Sequence, residues 1–437
     1  MESVPAMALA GGQGVRARPI TLSSADHLRS KAVVRVAGRP LIEWAVTALR
    51  DQGVGRYYVV ANGGENRAQT QAVLGHGERF GVSVRYSRTR FDRDNTGSGE
   101  ATLRCLEYWD LTGLALVFPT DSLFDFDLAD MIRAHRAARA DVTVATVRRP
   151  AATAAGKYGV LRLGRGGLVD GFLEKPDLAA ARALSRGGDG DPVHTNAGMY
   201  LIDCGRLRMA ARDPELAALI RHRLDWGGDL LPYLVRRGYR VLARPIGRFG
   251  DLGSPRDYLD TLRDLLLGRY PRLSDGLGEP AGPGGHRVHP SSLEMKDRVS
   301  GRTLAEKIED GSVRIGPGVR IGRDVEIGPG VALAESDIGD GVDIGAHSTL
   351  HGVACGDHSV IGPGALLTDV FLGCMADVRS TLRDPVVLDG CCALGDEVRV
   401  RPGSRLRGVS AFPRLEIGGD IPGGAALAGV RDVLRCL

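Results

Sequence analysis

The run Leu9-Ala10-Gly11-Gly12-Gln13-Gly14-Val15-Arg16 follows an apolar stretch beginning at Val4, and its residue types suit the holding of phosphate. Glycines let backbone N–H groups close on an anion, because no Cβ blocks the approach and positive φ is accessible. Arg16 adds a permanent fork-shaped cation that grips phosphate oxygens two at a time. A plain turn at a strand end uses the same glycines, so the loop by itself leaves both readings open. No Gly-Lys-[Ser/Thr] follows, which rules out a Walker A loop. Gly12-x-Gly14-x-x-Ala17 matches the loose dinucleotide pattern. That fold wants an acidic residue about 20 positions on, whereas the second strand here, near Arg56–Ala61, lies farther along and ends in Ala61-Asn62-Gly63.

Lysine is scarce: of 57 lysines and arginines only Lys31, Lys157, Lys175, Lys296 and Lys307 are lysine. Where arginine carries the surface charge, a lysine inside a motif marks a place for a compact ammonium. Lys31 and Lys175 occupy such places, while Lys296 and Lys307 lie in a polar stretch. A carboxylate, Asp121, closes the apolar strand Leu114–Phe118; Asp at a strand end is by itself usually a cap or turn former.

Taken together, the segments form a longer signature. Gly11–Arg16 is followed by Ser30-Lys31-Ala32 and the turn Val36-Ala37-Gly38-Arg39-Pro40, then by Asp121-Ser122-Leu123-Phe124. Next come Lys157-Tyr158-Gly159-Val160, Glu174-Lys175-Pro176, Thr195-Asn196-Ala197-Gly198 and Phe249-Gly250-Asp251-Leu252-Gly253-Ser254-Pro255. This order resembles the sugar-1-phosphate nucleotidyltransferases. The chain departs from their pattern at Val15, at Ala32, and in about four extra residues between Arg16 and Lys31. The resemblance implies an α/β, Rossmann-like domain with a mixed sheet. It implies nucleotide contacts from Leu9, Ala10, Gly11, Gly12, Gly14, Arg16 and Gly97, and Mg²⁺ on Asp121 and Asp251. Sugar-phosphate contacts are implied for Tyr158, Gly159, Glu174, Lys175 and Asn196, with Arg16, Lys31 and Lys175 as the catalytic cations. The turn Asn95–Ala101 occupies the place beside base and ribose. Asp225-Trp226-Gly227-Gly228-Asp229 looks like ADP-glucose pyrophosphorylases, whereas Thr195–Gly198 is closer to mannose-1-phosphate guanylyltransferases.

The elements that must position these residues are legible as two patterns. Up to about residue 266, short apolar runs (Val4–Leu9, Tyr57–Ala61, Val82–Tyr86, Leu114–Phe118, Val142–Val147) alternate with segments of helical spacing such as Leu41–Leu49 and Met131–Ala138. Ligands in open α/β sheets sit beyond the carboxyl ends of strands, where Gly11–Arg16 and Asp121 fall. From Ile315 a branched apolar residue recurs every sixth place: Ile315, Ile321, Ile327, Leu333, then after a five-residue step Ile338, Ile344 and Leu350. That is the signature of a parallel β-helix; by resemblance its hand is left. The expected division is a catalytic domain over 1–266, a Gly/Pro-rich linker over 267–312, the hexapeptide coil over 313–410 and a tail over 411–437.

The chain has 437 residues, 43% of them hydrophobic and 25% charged, and a net charge of +4. Two cores are therefore expected, and no dense basic run indicates nucleic acid. No apolar run approaches 18 residues, and the seven cysteines form no Cys-x-x-Cys pair, so a cytoplasmic protein without membrane contact is expected. The expected reaction is transfer of a nucleotidyl group from ATP or GTP to a hexose-1-phosphate of the glucose type, with a cyclitol phosphate as the alternative acceptor. A homo-oligomer joined through the coil is expected. The alternatives are a non-catalytic regulatory subunit, and a bifunctional enzyme whose coil transfers an acyl group using His347, His351 or His358.

Overall fold

The computed structural model describes residues 4–12, 14–24, 26–88, 96–184, 192–220, 223–278, 282, 284–421 and 423–436. They pack as two compact units, one formed by residues 1–12 and 42–249 and the other by residues 13–41 and 250–437. Among the strands preceding the coil are β1 (Ala6–Ala10), β2 (Arg35–Val36), β3 (Arg39–Pro40), β4 (Arg56–Ala61), β5 (Ser83–Tyr86), β6 (Leu114–Pro119), β7 (Ser122–Asp125), β8 (Val142–Arg149), β9 (Val160–Leu163), β10 (Val169–Leu173), β11 (Val193–Asp203) and β12 (Val241–Pro245). The helices used below are α1 (Leu41–Arg50), α2 (Gly64–Leu74), α3 (Ser98–Tyr108) and α4 (Leu128–Ala138).

In the first unit a nine-stranded mixed sheet runs β10-β9-β11-β6-β1-β4-β5, with β8 joining β11 to β12. Strands β1, β4, β5 and β6 are parallel, and β11 runs antiparallel to β6 and β8. Strand β1 lies between β4 and β6, which is why its sequence is an unbroken apolar run with Ala6, Met7, Ala8 and Ala10 buried. The expected strands and helices are all present, with no end shifted by more than three residues. Helix α4 starts at an Asp127 cap, whose carboxylate accepts the Asp130 N–H at 2.8 Å.

The second unit is built on three ladders of short parallel strands. Ile321 pairs with Ile338 and Ile338 with Cys355, Ile327 with Ile344 and Ile344 with Ile361, and Leu333 with Leu350 and Leu350 with Leu367. Each partner lies seventeen residues farther along, so one turn of the coil is two six-residue steps and one five-residue step. All of these residues are buried in one continuous core. This domain of parallel strands is consistent with the expected β-helix.

The coil extends past both expected limits. Arg287–Val288, expected in the linker, pairs with Arg320–Ile321, and Pro271–Leu277, Pro290–Glu294 and Leu304–Glu309 are helical. At the other end Ala411, Ile417, Ile421 and Leu427 continue the ladders, and helix Val430–Cys436 follows. Both stretches are rich in Gly and Pro, and in composition this resembles a linker. Lys307 shows the difference most clearly: it is fully buried, with its ammonium 2.5 Å from Asp297.

Segment 13–41 also belongs to this unit. Its β2–β3 hairpin turns through Ala37 (φ 48°) and Gly38 (φ 75°), the positive pair that a tight hairpin requires. At Gly38 a side chain would also meet the Arg320 guanidinium at 2.8 Å.

Candidate active site

In the first unit the carboxyl ends of three neighbouring strands come together. Leu9 and Ala10 end β1, and the Ala10 carbonyl accepts the Asn62 N–H at 3.0 Å from the end of β4. Leu9 accepts the Thr120 hydroxyl at 3.1 Å from the end of β6, next to Asp121. Gly11 and Gly12 lie exposed just beyond β1, with Gly12 at φ 100°. A Cβ on Gly11 would touch Asn62 at 3.4 Å, so the loop runs close over β4. Asp121 is half-buried and accepts the Ser122 hydroxyl at 3.3 Å.

A second cluster in the same unit gathers the sugar-side residues. The Gly159 carbonyl accepts the Asn196 N–H at 2.8 Å, because β9 and β11 pair at Val160 and Thr195. A Cβ on Gly159 would lie 2.8 Å from the Glu174 carboxylate, and one on Gly227 only 2.5 Å from it. Glu174 is thus seated between two glycines, with Lys175 Nζ 3.7 Å from its other oxygen. Burial, the largest influence, pushes the Glu174 carboxyl above its ordinary range; Lys175 pulls it back, and Asp225 and Asp229 push it up again. Lys175 holds φ 44°, a left-handed conformation uncommon for a residue with a side chain, and is half-exposed. The Asn196 amide donates to the Tyr200 hydroxyl, and its oxygen accepts the Gly198 N–H, both at 2.8 Å. Tyr158 is buried, with Arg149 4.9 Å and Lys157 5.1 Å from its ring centre.

Leu224 and the segment Asp225–Gly227, which the sequence reading noted only for its likeness to one branch of the family, also shape the site. Trp226 stacks on Tyr200 at 4.1 Å and brings Gly227 to Glu174. Asp225 accepts the Ser98 N–H at 3.1 Å, and Leu224 accepts the N–H groups of Gly99 and Glu100. These bonds use the first amides of α3, and a Cβ on Gly97 would strike the Leu224 carbonyl at 2.3 Å. Gly97 is therefore glycine for close backbone approach. Asn95 lies outside the described residues. The signal that could have identified Gly227 was its double glycine between two aspartates.

The remaining expected site residues belong to the second unit. Arg16 is exposed at the centre of the short helical turn Val15–Ala17, and Lys31 opens another at Lys31–Val33. Asp251 follows Gly250, where a Cβ would meet Thr261 and the Tyr270 hydroxyl at 2.4 Å. His347 and His358 sit at coil corners with positive φ, and His351 lies 3.8 Å from Glu335. Among the described residues no three His, Cys, Asp or Glu side chains form a metal-holding group. No helix among them is long and apolar enough to cross a membrane.

The sequence profile described as nucleotidyl transferase matches residues 5–267, spanning the glycine loop, Asp121, the sugar-side cluster and Asp251. The chain belongs to the nucleotidyl transferase family. A second profile, the GMPPB C-terminal domain, matches residues 305–425 of this nucleotidyl transferase, within the coil. It is similar to a UTP–glucose-1-phosphate uridylyltransferase of Synechocystis, 27% identical over 88% of this chain and 93% of the relative. It is also similar to a mannose-1-phosphate guanylyltransferase of Mycobacterium tuberculosis, 28% identical over 78% of this chain and 82% of the relative. A glucose-1-phosphate adenylyltransferase of Vibrio vulnificus is 28% identical over 54% of this chain and 58% of the relative.

Proposed function

We propose that this nucleotidyl transferase joins a nucleoside triphosphate, ATP or GTP, to a hexose-1-phosphate of the glucose type, releasing a nucleotide sugar and pyrophosphate. The observation that carries the reading is Glu174, a partly buried carboxylate between Gly159 and Gly227 and next to Lys175. Lys175 lies at 3.7 Å from one carboxylate oxygen, and sugar hydroxyls next to a phosphate supply the donors that a carboxylate kept partly from water needs.

The chemistry needs charge control more than proton transfer. A sugar phosphate, with its second pKa near ~6, is already largely a dianion at neutral pH. One of its oxygens bonds to the α-phosphorus while the bond from that phosphorus to the bridging oxygen breaks, and pyrophosphate leaves with the electron pair. Arg16 and Lys31 hold the triphosphate and take up charge on the leaving group; Lys175 aims the sugar phosphate, with Tyr158, Gly159, Glu174 and Asn196 around the sugar. Gly11, Gly12 and Gly14 give the phosphates room, and the Gly97 turn stands beside the base. Asp121 and Asp251 are hard oxygen donors of the kind Mg²⁺ takes in ones and twos, completing its shell from phosphates and water. Mg²⁺ bound there would supply charge neutralisation for the transferred and leaving phosphates. The enzyme works in the cytoplasm as a homo-oligomer joined through the coil.

The test is pyrophosphate release across ATP, GTP, UTP and dTTP, each with glucose-1-phosphate, mannose-1-phosphate, their amino analogues and a cyclitol phosphate. Highest kcat/KM with glucose-1-phosphate and ATP or GTP supports the reading; no release with any pair overturns it.

A further inference from the structure

The loop that carries Arg16 is fastened to the coil through a short series of polar contacts, all inside the second unit. Gly14 adopts φ 60°, and a Cβ there would lie 2.7 Å from the Thr21 methyl. Thr21 is buried, and its hydroxyl donates to the Gly14 carbonyl at 2.9 Å; the Ala17 N–H donates to the same oxygen at 2.9 Å. These two bonds hold the turn Val15–Ala17 with Arg16 at its centre. The Thr21 carbonyl in turn accepts the Arg29 N–H at 2.8 Å. The Arg29 guanidinium reaches the Ile20 carbonyl at 3.3 Å and forms a charge-assisted bond with the Asp396 carboxylate.

Asp396 is a fixed point. It is buried, and its other oxygen accepts the Cys374 N–H of the preceding coil turn at 3.0 Å. Asp357 stands at the equivalent place after Gly356, accepting the Asp340 N–H at 3.0 Å and the Arg35 guanidinium at 2.9 Å. Each aspartate thus gives one oxygen to its own coil and the other to an arginine of segment 13–41. Lys31 lies between those two arginines. Apolar packing does not fill the space there, because a cavity of about 290 Å³ lies between the segment and the coil, lined by Ile20, Val33, Tyr258, Phe371 and Cys374 among others. The polar bridges, with the Tyr258 hydroxyl on the Arg35 carbonyl at 2.8 Å, set the segment's place.

We propose that Asp396, acting through Arg29 and Thr21, is a positioning residue for Arg16, so that the coil sets where the nucleotide-gripping arginine stands. This rests on the reading of Arg16 as a triphosphate ligand and extends it to residues of the coil. Asp396 and Thr21 are both buried, and neither is among the residues assigned to substrate. Their effect is confined to one substrate, which separates positioning from general support of the fold.

The experiment measures KM for nucleotide and for sugar phosphate, kcat, and Tm in full-length Asp396→Asn, Arg29→Met, Thr21→Val and Thr21→Ser, with Arg16→Ala as reference. Asp396→Asn, Arg29→Met and Thr21→Val should each raise the nucleotide KM about tenfold, the weight of one hydrogen bond in the series. The sugar-phosphate KM should stay within about twofold. Thr21→Ser, which keeps the hydroxyl, should hold the wild-type nucleotide KM. Equal rises in both KM values, or a Thr21→Ser variant as impaired as Thr21→Val, would show a merely structural role and overturn the proposal. If Arg16→Ala raises the nucleotide KM while the other variants do not, the positioning role alone falls. If Arg16→Ala leaves it unchanged, the assignment of Arg16 falls and the positioning role with it. Should Asp396→Asn fail to fold, the Thr21 pair alone decides.

Discussion

Gly227 approaches Glu174 so closely that a single methyl at Gly227 would lie 2.5 Å from the carboxylate. The group it would meet is the far end of a flexible side chain. Gly227→Ala should therefore fold with near wild-type Tm by pushing the carboxylate aside, while the sugar-phosphate KM rises about tenfold. Gly159→Ala should behave differently, because its Cβ would strike the Phe172 ring at 2.4 Å before reaching Glu174. Overpacking of that kind typically costs about 1–3 kcal/mol. Melting curves with sugar-phosphate titrations distinguish the two, and a large Tm loss in Gly227→Ala would refute this account of the pocket.

Glu174 also predicts a pH signature. Burial raises its carboxyl above the ordinary value, with Lys175 opposing and Asp225 and Asp229 assisting. The folded chain therefore holds this proton more tightly than the unfolded chain. Its contribution to stability is full below the ordinary carboxylate pKa and is lost as pH rises through the raised folded value. Glu174→Gln should accordingly raise Tm at neutral pH and give no gain near about pH 4, where the unfolded carboxylate is itself largely protonated. The same variant should lose ~10–100-fold in kcat/KM for the sugar phosphate, since a neutral amide replaces a charged acceptor. A Tm gain that is the same at both pH values would show that the effect is not ionisation.

The two cations assigned to different substrates should separate kinetically. Lys175→Ala should raise the KM for sugar phosphate far more than that for nucleotide, because its ammonium acts on one substrate. Arg16→Ala should do most of its damage at the nucleotide and at the leaving pyrophosphate. Initial-rate measurements varying each substrate check this, and the opposite pattern would exchange the two roles.

Much of this architecture is legible in the sequence because it is periodic or local. The apolar run of β1 follows from burial on both faces, and the six-six-five spacing from Ile321 dictates ladders in which equivalent residues stack one coil turn apart. Sequence fails where composition imitates something else. Residues 267–312 and 411–437 are rich in Gly and Pro as a linker is, yet Val288, Lys307, Ile417 and Leu427 belong to or pack on the coil. The packing of segment 13–41 with the coil is equally hidden, because Arg29 and Asp396 stand 367 residues apart. The Glu174 pocket was half visible: the Glu-Lys-Pro motif names the carboxylate, but only the fold brings Gly159 and Gly227 to it.

The proposed metal role gives a sharp test. Asp121→Asn removes a charge from the carboxyl end of β6, where Asp121 is held by the strand and by Ser122. If it helps to hold Mg²⁺, kcat should fall ~10²–10³-fold, the usual loss when a stabiliser of developing charge is removed. The Mg²⁺ concentration for half-maximal activity should rise, and Asp251→Asn should move it in the same direction. Near wild-type kcat at limiting Mg²⁺ in Asp121→Asn would remove the assignment.

Lys307 provides the test of the coil. Its ammonium is fully buried, 2.5 Å from Asp297 and bonded to the Ile327 carbonyl. Asp297 also accepts the Val299 and Ser300 N–H groups at 2.9 and 2.8 Å. Burial pushes the Asp297 carboxyl up, but the bonds from Lys307, Ser300 and the two backbone amides outweigh it and hold it well below the carboxylate range. Because the folded pKa is depressed, this stabilisation is present above the ordinary Asp value near ~4 and is lost as pH falls toward the folded value. Lys307→Met leaves a buried carboxylate short of its cation and should cost about 3 kcal/mol. Adding Asp297→Asn should restore part of that loss, since an uncharged amide no longer needs the ammonium. Denaturant unfolding between about pH 3 and pH 7 checks both points: Lys307→Met should flatten the acid limb of the wild-type profile. An unchanged limb would mean that the pair contributes nothing to the acid stability of the coil.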